Sequence, residues 1–368
     1  MGIKRIKVLF VCTVPTERSG IPNVIYNIID SQEEKTIKYG YVAINEPKET
    51  FIDKLEKKNT SLYIIPRKLS NPIGYIYTLA RIAKDYDIMH VHGNSATMVL
   101  EMIAAKIAKI KVRIAHSHNT TCKMKFIDLL MRPLFYHLCN GRLACGKEAG
   151  EWLFKTKEFT IINNGIKSEK FRFDKNTRTF IRHKLGIGNE IVIGHVGNFV
   201  EQKNHIFLIE VFLKIHELNN NTKLLLLGDG PLLKSISERV KLLDLDKYVI
   251  FAGSIENVGE YMNAMDMVIM PSLFEGLPLT LIEEQANGLP ILASDTITKD
   301  ANISGRIEYL SLTESTSNWA KKGIEITAVQ THDEETSEEA IRMIQKTQYD
   351  IKSVTNSLSL YYKNRIKN

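Results

Sequence analysis

Four cysteines in 368 residues are too few and too scattered to frame a fold. Cys12, Cys122, Cys139 and Cys145 form no CxxC pair, so neither a disulfide framework nor a zinc site is indicated, and free thiols suit a reducing cytoplasm. No run approaches the ~18 apolar residues that would span a membrane. After "MGIKRIK", the run "VLFVC" is shorter than a signal-peptide core and no cleavage site follows it. Ile6 stands where a myristoylation signal at Gly2 would need Ser or Thr. The loop after this first run, "CTVPTERSG", lacks G-x-G-x-x-G, which argues against a nicotinamide-dependent dehydrogenase. Neither charge sign dominates. The net charge of +7 is mild and not gathered into one tail; it suits an anionic ligand or membrane surface, and no nucleic-acid partner is expected. Repeats and low-complexity segments are missing too.

What is present is alternation. The 368 residues exceed one ordinary core, so two domains of roughly 150–200 residues are expected. Strand-like runs "IKVLFVC", "YGYVAI", "SLYIIP", "IMHVHG", "VRIAHSH" and "GRLACG" fill the first half. "EIVIGHVG", "TKLLLLGDG", "YVIFAG", "MVIMP" and "PILAS" fill the second. Near-continuous apolar strands separated by helical patterns predict parallel sheets covered on both faces, hence two doubly wound α/β domains. The polar stretch "NNGIKSEKFRFDKNTR" marks the break, giving domains 1–172 and 173–349 with a helical tail at 350–368. "THDEETSEE" reads as a solvated helix start. In open parallel sheets ligands bind beyond the carboxyl ends of strands, so residues that follow a strand are the site candidates.

Three strand-to-helix junctions qualify. In "PSLFEGLPLTLIEEQANGLP" a helix begins near Pro278 and ends at Gly288. Its unpaired first N–H groups, with those of Gly276 and Leu277, can hold an anion. Glu275 precedes the helix and Glu283 lies one to two turns in. Carboxylates repel phosphate, so each suits hydroxyls on either side of a diphosphate, the layout of a nucleotide-sugar; the alternative is an exposed helix face and a loop charge. In "IVIGHVGNFVEQKNH", Lys203 stands just before a helix starting at His205 and can neutralise a departing diphosphate, although a solvated lysine is the commoner outcome. In "LLLLGDGPLL", Gly228 and Gly230 would permit close backbone approach to a ligand.

"GNFVEQKNH", "LLLLGDGP", "VIMPSLFEGLPLTLIEEQANGLP" and "SDTIT", in this order, resemble the C-terminal half of a family 4 glycosyltransferase of the bacterial capsule and exopolysaccharide type. "SGIPNVIYNI", "DIMHVHG" and "RIAHSHN" extend the likeness over nearly the whole chain. The resemblance implies a GT-B fold, two Rossmann-like domains facing a central cleft, with the first binding acceptor, the second binding nucleotide-sugar and the tail helix packing back on the first. It implies metal-independent transfer with retention and no cofactor. Lys203 would contact the diphosphate, Glu275 the donor sugar and Glu283 the ribose; Gly20 would let backbone approach the phosphates and His118 would sit beside the transferred sugar. Asn198 stands where many relatives carry arginine, and Ser19-Gly20 where they often have Gly-Gly. The donor expected is a UDP-sugar and the acceptor a lipid-linked glycan hydroxyl. Localisation would be cytoplasmic, with peripheral association at the inner membrane face. A sugar-nucleotide epimerase and a non-catalytic activating subunit are the alternatives.

His90 and His92, and again His116 and His118, lie two apart on strand-like segments and so share a face. Such pairs can ligate metal, but neither is accompanied by a carboxylate or thiolate; His90 and His116 are read as buried and hydrogen-bonded, and His118 as the sugar contact. "DYD" at Asp85 and Asp87 and "DLD" at Asp244 and Asp246 precede strands, at the end away from ligands. "KMKFIDLLMRPLFYHL" is read as a core helix with snorkelling ends ahead of a membrane dock.

Overall fold

The computed structural model describes residues 5–16, 20–68, 70–122 and 124–367. They form two compact units, Met1–Ile166 with Gln348–Asn368, and Lys167–Thr347.

The first unit alternates strand and helix: β1 (Ile6–Cys12), α1 (Ile21–Ser31), β2 (Ile37–Ala43), α2 (Glu49–Lys57), β3 (Ser61–Ile64), α3 (Pro72–Ala83), β4 (Ile88–Gly93), α4 (Val99–Ile107), β5 (Val112–Ser117), α5 (Lys125–Leu138), β6 (Gly141–Ala144), α6 (Lys147–Phe154) and β7 (Thr160–Ile161). All pairings are parallel, in the order β3-β2-β1-β4-β5-β6-β7. Val8 to Cys12 are fully buried, as a strand covered on both faces must be. The order reverses between β1 and β4, which places the crevice for a ligand beyond those two carboxyl ends.

The second unit holds α7 (Lys175–Lys184), β8 (Ile191–Val196), α8 (His205–Leu218), β9 (Thr222–Leu227), α9 (Leu233–Leu242), β10 (Val249–Gly253), α10 (Val258–Met262), β11 (Met267–Met270), α11 (Leu279–Ala286), β12 (Ile291–Ser294), β13 (Ile307–Leu310), α12 (Thr316–Val329) and α13 (Glu334–Gln345). Its parallel sheet runs β10-β9-β8-β11-β12-β13 and reverses between β8 and β11. Asp333 opens α13 with a reciprocal capping box to Thr336, the helix start expected of "THDEETSEE".

The last helix, α14 (Ile351–Lys367), belongs to the first unit. Ile166 and Asp350 pair as an isolated parallel bridge, so both crossings between the units lie side by side. From there α14 packs on α1, and its fully buried Tyr362 reaches the sheet, 2.6 Å from His90 Nδ1.

Helix α5 departs from the core helix expected of "KMKFIDLLMRPLFYHL" (Lys123 lies outside the described residues). Its buried stripe carries Asp128, Arg132 and Phe135. Asp128 Oδ1 accepts from Ala96 N–H at 2.7 Å, and Arg132 pairs with Asp128 at 2.7 Å while donating to the carbonyls of Trp152 and Leu153. The apolar residues Phe126, Leu129 and Leu130 therefore point outward, at 79%, 67% and 72% exposure. The i, i+4 acid–base pair fixes the helix's rotation, because a charge left buried alone costs several kcal/mol.

Tyr362→Phe removes the hydroxyl that bonds His90 Nδ1 while preserving the ring. We expect a loss of about 1–2 kcal/mol in urea unfolding at an unchanged m-value. An unchanged midpoint would show that this hydrogen bond does not help hold α14 in place.

Candidate active site

The loops that leave β8 and β11 flank the switch point of the second sheet. After β8, a 3₁₀ turn Glu201–Lys203 precedes α8, with Asn204 in the left-handed region at φ 54°. Lys203 Nζ lies 2.7 Å from Glu275 Oε1, and the two side chains are only 14% and 9% exposed. Gln202, which the sequence reading passed over, fastens the two loops. Its side-chain amide donates to Phe274 O at 2.9 Å and to Glu275 Oε2 at 3.0 Å, and its backbone carbonyl accepts from Leu273 N–H at 2.8 Å. Adjacency to Lys203 was its only signal.

Glycines along these loops do different work. A Cβ on Gly197 would lie 3.1 Å from Lys203 Cε and 3.2 Å from His195 Nε2, so glycine there makes room for the lysine stem. A Cβ on Gly228, at φ +141°, would stand 2.0 Å from Gly197 O, and one on Gly230 would stand 2.6 Å from Phe199 O. Packing of one loop on the other accounts for both glycines. Among the described residues nothing lies within 4 Å of a Cβ built on Gly276 or on Gly20, which leaves room for a ligand against backbone at those two positions. Asn198 is exposed.

Pro278 caps α11 without a side-chain hydrogen bond, which leaves the helix's first N–H groups available beside exposed Gly276 and half-buried Leu277. The SDTIT segment fixes the approach: Ser294 and Thr296 hydroxyls donate to Ser272 O at 2.6 and 2.8 Å. Half-buried Glu283 lies on α11, where burial pushes its carboxyl up to about 7. Its neighbour Glu284 is fully buried, and both its oxygens, like Thr280 Oγ1 one turn earlier, have no hydrogen-bond partner in the protein. Burial drives the Glu284 carboxyl well above the ordinary range, with Glu283 adding to the rise and Lys203 opposing it. Ser272 Oγ, His195 Nε2 and both His205 nitrogens are buried and unpartnered as well. So many unmatched polar atoms at the carboxyl end of a sheet mark a place built for polar contacts.

The other two sequence candidates, Gly20 and His118, belong to the first unit. Gly20 caps α1 after β1, in ordinary helical conformation; Ser19 lies outside the described residues. Half-buried His118 follows β5, with Nε2 2.8 Å from His92 Nδ1 and Nδ1 3.2 Å from Asn164 Oδ1. His90 and His116 are buried and bonded to each other at 3.2 Å. One ring nitrogen each of His90, His92 and His116 lies within 4.8 Å of the others, close enough for one ion. Yet His90 Nε2 and His116 Nδ1 are spent on each other, so only His92 Nε2 is uncommitted. Asp87 is likewise occupied, accepting from Lys7 N–H at 2.8 Å at the amino end of β4.

Two doubly wound units, one with a lysine–glutamate pair and an uncapped helix start at its switch point, define an α/β protein of the nucleotide-binding type of architecture with a candidate anion site. Residues 177–342 match the family model "Glycosyl transferases group 1". The chain is 31% identical to "Putative glycosyltransferase EpsF" of Bacillus subtilis (strain 168) over 322 residues, 83% of each protein. It is 29% identical, over 60% of each, to the Escherichia coli "UDP-Gal:alpha-D-GlcNAc-diphosphoundecaprenol alpha-1,3-galactosyltransferase". Among solved structures, that of Anabaena Alr3699/HepE in complex with UDP and glucose aligns with a TM-score of 0.80 at 17% identity, covering 98% of this chain and all of that one. The chain belongs to the group 1 glycosyltransferases and has the GT-B type of fold, two Rossmann-like units.

Eight of the ten histidines are held below their ordinary range, each mainly by burial; His118, His205 and His332 lie at about 4. Below about pH 6.5 the unfolded chain binds protons that these folded imidazoles refuse, so stability falls as pH drops toward 4. Glu283 and Glu284 have the opposite sign, holding protons when folded that they would lose on unfolding, but they are two groups against eight. Melting followed by circular dichroism at constant ionic strength should therefore show Tm falling from pH 7 to pH 5, above the range where ordinary carboxylates titrate. A level Tm over that interval would contradict the neutral-histidine assignment.

Proposed function

We propose that this glycosyltransferase moves a sugar from a nucleoside diphosphate donor, a UDP-sugar, to a hydroxyl of a lipid-linked glycan, with retention at the anomeric carbon, in capsule or exopolysaccharide assembly. The observation that carries the reading is the Lys203–Glu275 pair, buried beside the uncapped start of α11 and open Gly276. A diphosphate drawn to the helix start competes with Glu275 for Lys203. Once Lys203 turns to the phosphates, the Glu275 carboxylate is freed to accept hydrogen bonds from sugar hydroxyls. Glu283 takes the ribose hydroxyls, and His118 contacts the transferred sugar.

Departure of the diphosphate requires stabilisation of developing negative charge. Lys203 supplies a full positive charge and the helix start oriented N–H groups; Asn198 adds a hydrogen-bond donor without charge. The acceptor hydroxyl attacks from the side the diphosphate leaves, which accounts for retention without a protein nucleophile. The E. coli relative's name specifies a UDP-linked sugar and a diphosphoundecaprenol acceptor, and the Anabaena complex contains UDP and glucose; both favour this donor and acceptor class.

Removing one member of a buried ion pair strands the other, so Glu275→Gln separates function from folding better than alanine does. Glu275→Gln and Lys203→Ala should each lower transfer by about 10²–10³-fold, and Glu275→Gln should melt within a few degrees of the parent. Thermal shifts with UDP-, GDP-, ADP- and dTDP-sugars identify the base, since a ligand of the native state raises Tm. Undiminished turnover by either variant would remove its assigned role.

A lipid-linked acceptor also requires approach to a bilayer. Outward Phe126, Leu129 and Leu130 beside Lys125 on α5, with Ile73 and Tyr77 at the start of α3, give the carboxyl-end side of the first sheet the apolar and basic surface for it. The wild-type chain should float with anionic phospholipid vesicles, and Leu129→Ser/Leu130→Ser should sediment while keeping its turnover of a soluble acceptor. Flotation unchanged by the double substitution would refute the assignment of this surface.

A further inference from the structure

Two hydrogen-bond chains thread the four histidines of the first unit, and they differ in how their direction is set. One ends on the carbonyl of Ile162, which can only accept. His116 Nε2, 3.2 Å away, must therefore carry its proton there, leaving Nδ1 bare. That bare nitrogen accepts from His90 Nε2–H at 3.2 Å, and His90 Nδ1 in turn accepts from the Tyr362 hydroxyl at 2.6 Å. Every donor has an acceptor. The chain is closed.

The second chain is open at its inner end. It runs from Asn164 Oδ1 to His118 Nδ1 (3.2 Å), then from His118 Nε2 to His92 Nδ1 (2.8 Å), and stops at His92 Nε2, which is fully buried with no partner among the described residues. Two directions are possible. If the Asn164 amide donated, protons would sit on His118 Nε2 and on His92 Nε2, stranding a buried N–H. If its carbonyl accepts, His118 carries its proton on Nδ1, His92 donates inward from Nδ1, and only a lone pair is left unmatched at His92 Nε2. Unpaired buried N–H groups are the rarer and costlier defect, so the second direction prevails. It also leaves the bare lone pair at the sealed end of the chain, with the His118 N–H bonded to Asn164 at the half-buried end.

We propose that Asn164 and His92 are positioning residues that hold His118 as a neutral imidazole whose Nδ1–H is committed to Asn164 Oδ1 and whose Nε2 accepts from His92, fixing the ring in one orientation beside the transferred sugar. The last clause rests on the function proposed above; the tautomer does not. The ring stacking supports a fixed orientation: His118 lies over His116 at 4.3 Å and beside His92 at 5.0 Å between centroids, so it cannot turn without disturbing both.

Long-range ¹H–¹⁵N NMR of the full chain at pH 8 reads the tautomer without any donor. His118 should show a protonated Nδ1 and a bare Nε2. His92→Phe and Asn164→Leu should each mix the two forms and lower kcat/KM by about tenfold, the value of one hydrogen bond. Asn164→Asp, whose carboxylate can only accept, should restore the Nδ1–H form at that pH and most of the rate. The His90–His116–Tyr362 resonances report whether each variant keeps its fold. A protonated Nε2 on wild-type His118 would overturn the proposal, as would a mixed tautomer in Asn164→Leu with kcat/KM unchanged. Failure of the wild type to transfer from any nucleotide-sugar would instead count against the proposed function while leaving the tautomer result standing.

Discussion

A lysine and a glutamate removed from water must answer each other. Lys203 and Glu275 come from loops after different strands, and their pairing at 2.7 Å exists only because β8 and β11 are neighbours across the reversal of the sheet. At that point one loop turns toward β9 and the other toward β12, so both ends are free of the crossover that would otherwise fill the space. Gln202 ties the loops, Ser294 and Thr296 hold the Ser272 carbonyl, and Gly197 yields volume for the lysine stem. Each of these contacts keeps a buried charge pair aligned, and a misaligned pair would be a liability. The geometry of the site is thus a consequence of topology first and of side chains second.

Much of the fold was legible because parallel strands buried on both faces leave a continuous apolar trace. "IKVLFVC" and "IMHVHG" match β1 and β4 residue for residue. The strands that escaped were those at sheet edges. β7 is two exposed residues, and β13, "IEYL", is paired on one side only, so neither needs an unbroken apolar run. Helix α5 misled for the opposite reason. Its apolar residues outnumber its charged ones, yet Asp128 and Arg132 claim the inward stripe because they satisfy each other, the Ala96 N–H and two carbonyls. Periodicity alone cannot say which stripe faces in when both stripes have partners.

The site was legible in part for a similar reason. Lys203, Glu275 and Glu283 stand out because charged residues after a strand have no core to join. Glycines are less explicit. The Gly228–Gly230 pair reads as ligand approach, whereas the close contacts observed are with Gly197 O and Phe199 O, a backbone-to-backbone packing that no spacing rule reveals. The histidines show a further limit. Alternation on β4 and β5 places all four on one face, but the division into a closed chain and an open one depends on Tyr362, Ile162 and Asn164, distant in sequence.

Charge arithmetic explains why the acid next to Glu283 is buried. The second unit brings one ammonium, Lys203, near Glu275 and within electrostatic reach of Glu284. With both carboxyls ionised, that trio would carry net negative charge and repel a diphosphate. Burial pushes the Glu284 carboxyl well above its ordinary range, since no hydrogen bond among the described residues favours its charged form and the nearby Glu283 opposes ionisation. That shift lessens the negative charge of the trio. In the donor complex proposed for this site, phosphate oxygens would draw Lys203 away, and the charge of Glu275 would face hydroxyls rather than phosphate. Asn198 fits the same balance. With the Glu284 carboxyl pushed toward its neutral form, the proposed diphosphate would meet one cation and a helix start, so the proposal does not require a second cation at position 198.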